Sequence, residues 1–379
     1  MKHAIAALWV CGLLSLMAGL SGCGGGSSST PAPQPPASSE YLYCANVNQI
    51  SAFRVSKNGA LSGSSNITGP NDPGGILADS SGKSLYVSDF TGSAIDGFGI
   101  NGTSGVLTAI NGSPFPVGNG NGPAGMAMDS AGKFLFLAHA NDSIYVFARD
   151  ADTGALTVPG SSFAAGAMPM KVVVHPTHDF LYASDYNDQL GGISAYTFDP
   201  TTGALTEIPG SPFLTQSNWP GPSGIVIEPS GKFLYVGLAG VVNANHYVVG
   251  FSIDAGSGAL TPLPSSPFAT GNGPLEIALY PSGKYLYAAN FHDSTISAFA
   301  IDSSTGALNP VSGSPFPTGT DPFALAIDPN GSFLYTANQG TNNISAFSIN
   351  SNNGVLTQIS GSPFGVAAQP LRLAIVKLP

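Results

Sequence analysis

Short apolar runs that contain an aromatic residue recur along the chain at a nearly constant spacing. Each run includes an apolar–aromatic pair, and the seven pairs are Leu42-Tyr43, Leu85-Tyr86, Leu135-Phe136, Leu181-Tyr182, Leu234-Tyr235, Leu286-Tyr287 and Leu334-Tyr335. The mean interval between pairs is about 49 residues, which is close to the repeat lengths of propeller proteins. The pattern therefore predicts seven structural repeats.

Each repeat continues with the same order of short segments. In one repeat, a second apolar run at 296–301 precedes a turn at 302–306, a short run at 307–308, a Ser-Pro-Phe element at 314–316 and a further apolar run at 322–327. Gly-containing turns separate the runs, and no helical periodicity follows the N-terminal segment. This order predicts four short strands per repeat, with the Ser-Pro-Phe elements packed between neighbouring repeats.

The two ends of the repeat region complement each other. The region opens with the Leu42-Tyr43 strand, the second type in the repeat, and finishes with Pro370-Leu371-Arg372-Leu373-Ala374-Ile375, which matches the first type. Many strands are apolar on both faces, as blades packed between two other blades require. We predict an all-β, seven-bladed β-propeller of four-stranded blades over residues 41–379. In this fold the C-terminal strand completes the N-terminal blade.

The N-terminal segment has the features of an export signal. Lys2 precedes an apolar run over 4–20, as in signal peptides. The ending Leu20-Ser21-Gly22-Cys23 resembles the lipobox of bacterial lipoproteins, which implies removal of residues 1–22 and lipidation of Cys23. Residues 23–40 then read as a Gly/Ser/Pro-rich tether. We expect a bacterial cell-envelope protein, periplasmic or on the outer surface, that contacts membrane only through this lipid; the alternative is an ordinary signal peptide with a chance cysteine.

Composition narrows the possible functions further. Charged residues make up only 8% of the chain, with 11 Lys and Arg and a formal net charge of −10. Nucleic-acid binding needs clustered basic residues to neutralise phosphates, so we expect no nucleic-acid partner. Once Cys11 is removed and Cys23 carries lipid, Cys44 is the only thiol left. One cysteine forms neither an internal disulfide nor a multi-cysteine metal site, and its apolar surroundings predict a buried small hydrophobe.

The repeats resemble the lactonase family of seven-bladed propellers, which includes 6-phosphogluconolactonases and carboxymuconate-cyclising enzymes. The resemblance lies in the strand motifs at 231–236 and 284–290 and in the Thr-Gly-Ala-Leu turns at 153–156, 202–205 and 305–308. For active members it implies Pro-Arg-His on inner strands, with Arg and His reaching the central funnel. The triplets at these positions are Pro73-Gly74-Gly75, Pro123-Ala124-Gly125, Pro169-Met170-Lys171, Pro222-Ser223-Gly224, Pro274-Leu275-Glu276, Pro322-Phe323-Ala324 and Pro370-Leu371-Arg372. No histidine occupies any of them.

The third triplet position nevertheless carries charge in three repeats. Lys171, Glu276 and Arg372 occupy it, whereas the other four repeats have Gly or Ala. A face of small residues interrupted by three charges fits inner strands that crowd a central channel. As a hypothesis, Arg372 and Lys171 bind a carboxylate or polarise a lactone carbonyl, Glu276 activates water, and His292 completes this catalytic group. The alternative is structural ion pairing across the channel.

Polar residues also collect in the loops after the Leu-Tyr strands. These loops and those that lead into the inner strands are expected to share one end of the propeller, here termed the loop face. The candidate ligand-binding residues at this face are His139, Asp185, Tyr186, Trp219, His246 and Asn290. Asn and Asp also form turns, and Trp219 either stacks on a sugar ring or caps a blade. Because no tight ligand spacing occurs, we predict neither a metal site nor a cofactor.

Two classes of function remain open. The first is an extracytoplasmic, lactonase-like hydrolase of a small lactone or carboxylated sugar, acting in the central funnel. The second is a non-catalytic propeller that binds a glycan, peptide or partner protein through its loop face. Convergence of Lys171, Glu276, Arg372 and a histidine favours the enzyme, whereas pairing of the charges only with one another favours the scaffold. In either case the protein is expected to act as a monomer.

Overall fold

The computed structural model describes residues 40–118, 120, 122–157, 162–186, 191–215, 221–239, 246–367 and 369–378. These residues form 34 β-strands arranged in seven sheets. No helix in these ranges is long and apolar enough to cross a membrane. The predicted signal peptide, Cys23 and the tether up to residue 39 lie outside the described residues.

Each sheet is one blade, and its first strand lies next to the centre of the ring. The inner strands of blades 1 to 7 are β34 (Pro370–Lys377), β4 (Pro73–Ala78), β9 (Pro123–Met128), β14 (Pro169–Val174), β19 (Pro222–Ile227), β24 (Pro274–Leu279) and β29 (Pro322–Ile327). Every inner strand packs beside the inner strands of the two neighbouring blades, and β29 packs beside β34. The predicted seven-bladed ring is therefore confirmed.

The second and third strands of each blade are antiparallel neighbours. The second strands are β1 (Glu40–Asn46), β5 (Ser84–Asp89), β10 (Phe134–His139), β15 (Phe180–Asp185), β20 (Phe233–Leu238), β25 (Tyr285–Asn290) and β30 (Phe333–Asn338). The third strands are β2 (Gln49–Val55), β6 (Ala94–Ile100), β11 (Ser143–Arg149), β16 (Gly192–Phe198), β21 (Tyr247–Ile253), β26 (Thr295–Ile301) and β31 (Asn343–Ile349). The second strands are almost entirely buried, as the double-sided apolar pattern predicts.

Among the described residues, the outer strand is continuous only in blade 1, where it is β3 (Leu61–Thr68). In blades 2 to 7 it consists of two pieces that pair with the same third strand. The pieces are β7 (Leu107–Ala109) and β8 (Phe115–Pro116), β12 (Leu156–Thr157) and β13 (Ser162–Ala164), β17 (Leu205–Glu207) and β18 (Phe213–Leu214), β22 (Leu260–Pro262) and β23 (Phe268–Ala269), β27 (Leu308–Pro310) and β28 (Phe316–Pro317), and β32 (Leu356–Gln358) and β33 (Phe364–Gly365). The Ser-Pro-Phe elements therefore do more than pack between blades, because they complete the outer strand.

Ring closure follows the prediction from the two chain ends. Strand β34 pairs antiparallel with β1, and Leu42 lies opposite Ile375. Between blades 7 and 1, the Tyr335 hydroxyl donates a hydrogen bond of 2.9 Å to the Gly59 carbonyl. The C-terminal strand is thus joined to the first repeat by a backbone ladder, and a side-chain bond links blade 7 to blade 1.

Candidate functional site

The inner strands place the third triplet residue at the centre of the ring. In blades 4 and 6 a β-bulge separates the leading proline from Lys171 and from Glu276, and in blade 1 a register shift falls next to Arg372. A bulge breaks the ladder and redirects the side chains around it. Lys171, Glu276 and Arg372 are half-buried, whereas the Gly and Ala residues at the same position in the other blades are buried.

Close packing of the inner strands explains the small residues between the charges. A Cβ atom added to Gly75 would lie 2.8 Å from the carbonyl oxygen of Ala124 in the next blade. One added to Gly125 would lie 2.8 Å from the Lys171 Cγ atom, and one added to Gly224 would lie 2.8 Å from the Ile277 nitrogen. These distances are too short for a carbon atom, so a side chain fits only where the backbones are further apart.

Lys171 and Glu276 meet across the intervening blade 5. The Lys171 Nζ atom donates to Glu276 Oε1 and forms an ion pair with it. The side chains keep 31% and 14% of their exposure, so the pair remains in contact with solvent at the centre of the ring.

Arg372 has a separate set of contacts beside this pair. Its Nε atom donates to the Gly74 carbonyl at 2.8 Å, and Nη1 donates to the Leu371 carbonyl at 3.1 Å. The guanidinium carbon lies 4.7 Å from the centre of the Phe323 ring. Burial lowers the pKa of Arg372, while the nearby carboxylates of Glu276 and Asp72 raise it. Arg372 stays cationic under ordinary conditions because a guanidinium does not deprotonate in proteins.

His292, the fourth candidate catalytic residue, lies at the loop face and is exposed. Its ring packs edge-on against Phe291 with 5.1 Å between centres. Among the described residues, no hydrogen bond or ion pair joins His292 to Lys171, Glu276 or Arg372. The structure therefore brings together the three charged residues of the hypothesis but not the histidine.

His139 is buried rather than displayed at the loop face. It ends the second strand of blade 3 with no exposed surface. Its Nδ1 atom accepts a hydrogen bond from the Asn141 backbone N–H at 3.2 Å, and its ring lies 5.1 Å from the ring of Tyr145. Burial lowers the pKa of His139, so the imidazole is neutral at pH 7.

Asp185 and Asn290 occupy the position of His139 in blades 4 and 6, and both are buried. The Ser194 hydroxyl donates to Asp185 Oδ2 at 2.7 Å, and Asn290 Nδ2 donates to the Ser297 hydroxyl at 2.9 Å. Burial raises the pKa of Asp185 to about 7. The two side chains thus bind the third strand of their own blade.

The remaining candidate ligand-binding residues are Tyr186, His246 and Trp219. Tyr186 follows Asp185, and its backbone N–H donates to the Met168 carbonyl at 2.9 Å. His246 is 8% exposed, and burial is the main cause that lowers its pKa. Trp219 and the predicted lipidation site Cys23 lie outside the described residues. In the described part of the chain, no group of three or more His, Cys, Asp or Glu is arranged to hold a metal ion.

Two residues near Arg372 were not singled out from the sequence. Phe323 lies under the guanidinium, and its ring centre is 6.0 Å from that of Phe291. Asp72, which precedes an inner-strand proline, is half-buried; burial raises its pKa, and the nearby Arg372 cation offsets part of this rise. Phe323 is the only aromatic residue at the second triplet position, which is the signal that could have identified it.

Comparison with known proteins identifies relatives of the whole ring. The family model described as Lactonase, 7-bladed beta-propeller matches residues 37–168, 141–218, 210–320 and 262–368. No curated protein sequence matches the chain significantly.

Several solved structures share the fold over most of their length. A candidate 6-phosphogluconolactonase from Bacteroides uniformis has 22% sequence identity and a TM-score of 0.77, covering 89% of this chain and 99% of its own. One from Bacteroides fragilis has 24% identity and a TM-score of 0.73, covering 92% and 100%. The periplasmic gluconolactonase of Pseudomonas aeruginosa has 20% identity and a TM-score of 0.73, covering 90% and 100%. At these identities the structural likeness concerns the fold.

Proposed function

Because the chain belongs to the lactonase family of seven-bladed β-propellers, we propose that it hydrolyses a small lactone or the lactone of a carboxylated sugar. The reaction takes place at the centre of the ring. The observation that carries this proposal is the placement of Lys171, Glu276 and Arg372 at one inner-strand position, where an anion and two cations face the same space.

The three residues have complementary roles in this reaction. Arg372 and Lys171 bind a ligand carboxylate or the lactone carbonyl oxygen, where negative charge develops during attack. Glu276 accepts a proton from water as the water oxygen forms a bond to the carbonyl carbon. The tetrahedral oxyanion then collapses, the ring C–O bond breaks, and the leaving oxygen takes the proton from Glu276. The products are the hydroxy acid and the regenerated carboxylate.

The pairing of Glu276 with Lys171 is compatible with this role. Only Oε1 of Glu276 is paired, and Oε2 accepts no hydrogen bond from any residue in the described ranges. A substrate that draws Lys171 toward its own oxygen releases Glu276 for proton transfer.

The proposed location is the bacterial cell envelope. The lipobox-like sequence ending at Cys23 supports export and lipid anchoring, and the Gly/Ser/Pro-rich composition that follows supports a tether between the lipid and the propeller. The periplasmic gluconolactonase of Pseudomonas aeruginosa, which shares the fold, is an exported relative of the same architecture. The proposed ligand is therefore a small molecule outside the cytoplasm, and the propeller acts as a monomer.

The test is lactone hydrolysis by the chain from residue 23, with Cys23→Ser for solubility. Acid release from a lactone panel is followed with a pH indicator. Glu276→Gln is expected to lower kcat about 100-fold or more because the general base is lost. Arg372→Ala is expected to lower kcat/KM by a similar factor. Lys232→Ala, an exposed cation on a turn at the opposite face, is the matched control and keeps full activity.

A non-catalytic binding role is the second candidate function. It is favoured by the absence of a bond between His292 and the three charges in the described structure, and by the mutual pairing of Lys171 with Glu276. In that case the loop face binds a glycan, peptide or partner protein. Equal turnover in the wild type, Glu276→Gln and Arg372→Ala would contradict the proposed residue roles, and no turnover across the panel would favour the binding module.

A further inference from the structure

The guanidinium of Arg372 contacts groups from three blades. Its Nη1 atom donates to the Leu371 carbonyl of its own strand at 3.1 Å, and its Nε atom donates to the Gly74 carbonyl of blade 2 at 2.8 Å. From blade 7, the Phe323 ring lies under the guanidinium, with 4.7 Å between the ring centre and the Cζ atom. The position of the cation therefore depends on an aromatic ring as well as on two carbonyls.

Two carboxylates compete with these contacts for the guanidinium. Burial lowers the pKa of Arg372, and Glu276 and Asp72 lie close enough to oppose that shift. Within the described part of the chain, however, Arg372 forms an ion pair with neither of them. A cation is drawn toward nearby carboxylates, most strongly where water is partly excluded. A contact that holds the guanidinium beside Gly74 thus prevents the protein's own acids from neutralising it.

The aromatic residue occurs only in the blade that precedes the arginine. Phe323 has the second triplet position there, whereas the blades before Lys171 and Glu276 have Ala124 and Ser223 at that position. An arginine stacks on an aromatic face because its guanidinium is planar and weakly hydrated, whereas the ammonium of a lysine is compact and strongly hydrated. The ring is therefore present where the charged group can use it.

Phe323 is itself supported by the neighbouring blade 6. Its ring centre lies 6.0 Å from that of Phe291, and the two ring planes meet at 83°. This edge-to-face arrangement is favourable for aromatic pairs. The Phe291 N–H donates to the Gly273 carbonyl at 2.9 Å, which ties the second ring to the segment that leads into the strand of Glu276. The ring under Arg372 is thus fixed by packing.

We propose that Phe323 is a positioning residue, whose ring holds the Arg372 guanidinium beside Gly74 and away from Glu276 and Asp72. A cation over an aromatic face is attracted by the negative charge of that face. The two carbonyls engage two of the five N–H groups of the guanidinium, so three are left to meet a ligand oxygen. Because the arginine is held before the ligand arrives, its donors need no reorganisation during the reaction.

This inference rests on the proposed function for the role of Arg372, so its first test does not need turnover. The chain from residue 23 contains three arginines, Arg54, Arg149 and Arg372. Isotope-labelled arginine in the Cys23→Ser protein therefore gives three Nε–H signals in an NMR spectrum, and Arg372→Lys identifies one of them by its loss. The exchange rate of this Nε–H with water measures how firmly the bond to Gly74 is held.

Phe323→Leu is expected to speed this exchange about tenfold, because it keeps an apolar side chain but removes the aromatic face. Phe323→Tyr keeps the face and should stay within about twofold of the wild type. The matched control is Phe364→Leu, which makes the same change at a half-buried phenylalanine in the outer strand of the same blade. It should leave the exchange rate unchanged, and melting temperatures identify any variant that is merely unfolded.

The second test is lactone hydrolysis by the same variants. Phe323→Leu is expected to lower kcat/KM about tenfold, and Phe323→Tyr and Phe364→Leu should retain it. In an Arg372→Ala background, Phe323→Leu should cause no further loss, because the ring acts through the arginine.

An Arg372 exchange rate within twofold of the wild type in Phe323→Leu would overturn the positioning role, whether or not lactones are hydrolysed. A further tenfold loss of kcat/KM in the Arg372→Ala background would also overturn it. Faster exchange in Phe323→Leu but not in Phe323→Tyr, in a protein that hydrolyses no lactone of the panel, would support the positioning role and reject only the proposed hydrolysis.

Discussion

The last residue of the second strand is buried, and its hydrogen bonds depend on whether its side chain is an amide or a carboxylate. Asn46, Asn290 and Asn338 each donate from Nδ2 to a serine hydroxyl of the third strand. Asp185 has an acceptor in place of that donor, so Ser194 donates to it instead, and its Oδ1 has no partner among the described residues. Burying a carboxylate with one unpaired oxygen favours the protonated form.

Asp185→Asn is therefore expected to stabilise the protein at alkaline pH. Burial raises the pKa of Asp185 from 3.8 to about 7 in the folded state, so the folded protein binds the proton more tightly than the unfolded chain. The stability that this proton contributes is complete below about pH 4 and is lost as the pH rises through 7. At pH 8 the variant should be more stable by about 1–3 kcal/mol, with little gain at pH 4.

Thermal unfolding of the wild type and the variant between pH 4 and pH 9 checks this expectation. The reverse change at the equivalent position, Asn338→Asp, should introduce a similar loss of stability at high pH into blade 7. A stabilisation by Asp185→Asn that is the same at every pH would show that the carboxyl group is not the cause.

At the scale of the strand, a tyrosine hydroxyl links six of the seven blades to a turn in the next blade. The six bonds are Tyr43–Gly105, Tyr86–Gly154, Tyr182–Gly258, Tyr235–Gly306, Tyr287–Gly354 and Tyr335–Gly59, with oxygen–oxygen distances of 2.6–3.0 Å. In blade 3 the residue is Phe136, whose ring packs 5.1 Å from that of Phe198 in blade 4. Packing of aromatic rings replaces the hydrogen bond at this one junction.

Tyr287→Phe is expected to destabilise the protein by about 1–3 kcal/mol, because the buried Gly354 carbonyl loses its donor while the ring still fills its space. Chemical denaturation measures the change in the free energy of unfolding. Tyr280→Phe is the control, since the Tyr280 hydroxyl donates no hydrogen bond to a described residue, and it should change stability by less than about 0.5 kcal/mol. An equal effect of both substitutions would contradict a specific role for the inter-blade bond.

A buried ion pair joins the third strand of blade 3 to blade 2. Arg149 Nη2 lies 3.0 Å from Asp79 Oδ2, and both side chains are at most 6% exposed. Arg149 also donates to the Tyr86 hydroxyl at 2.9 Å, whereas the other blades have Val, Ile or Phe at this strand position.

Removal of one partner of this pair leaves the other charge buried. Asp79→Ala is therefore expected to destabilise the protein by about 3–5 kcal/mol. The double variant Asp79→Ala/Arg149→Met should recover part of the loss because no unpaired charge remains. A double variant no more stable than the single one, as measured by denaturant unfolding, would show that the pair acts through packing alone.

At the scale of the whole molecule, stability depends on closing the ring. Strand β34 is the inner strand of blade 1 and contacts the inner strands of blades 2 and 7. Its removal exposes the edge of β1 and the apolar faces of two neighbouring blades.

Deletion of residues 370–379 is therefore expected to abolish cooperative folding, which circular dichroism melting and size-exclusion chromatography would detect. The matched control deletes residues 24–38 of the predicted tether and should leave the melting temperature unchanged. A cooperative transition near the wild-type temperature after the C-terminal deletion would contradict the closure argument.

The repeat order, the number of blades and the pairing of the chain ends are determined by the sequence alone, because strands and turns reflect local patterns that recur seven times. The local pattern does not, however, predict how the outer strand of each blade is built. The two-part outer strand is visible only in the structure, where residues such as Leu107 and Phe115 pair with the same third strand.

The partners of the polar side chains depend on contacts between distant parts of the chain. Lys171 and Glu276 are 105 residues apart, and Arg372 binds a carbonyl 298 residues away, so only the closed ring decides that the first two pair and the third does not. Likewise, the sequence places Asp185 and Asn290 near a loop, but strand ends at the loop face are covered by the segments that lead into the inner strands. Burial by these segments is a tertiary effect, and it decides which polar residues form hydrogen bonds within their own blade.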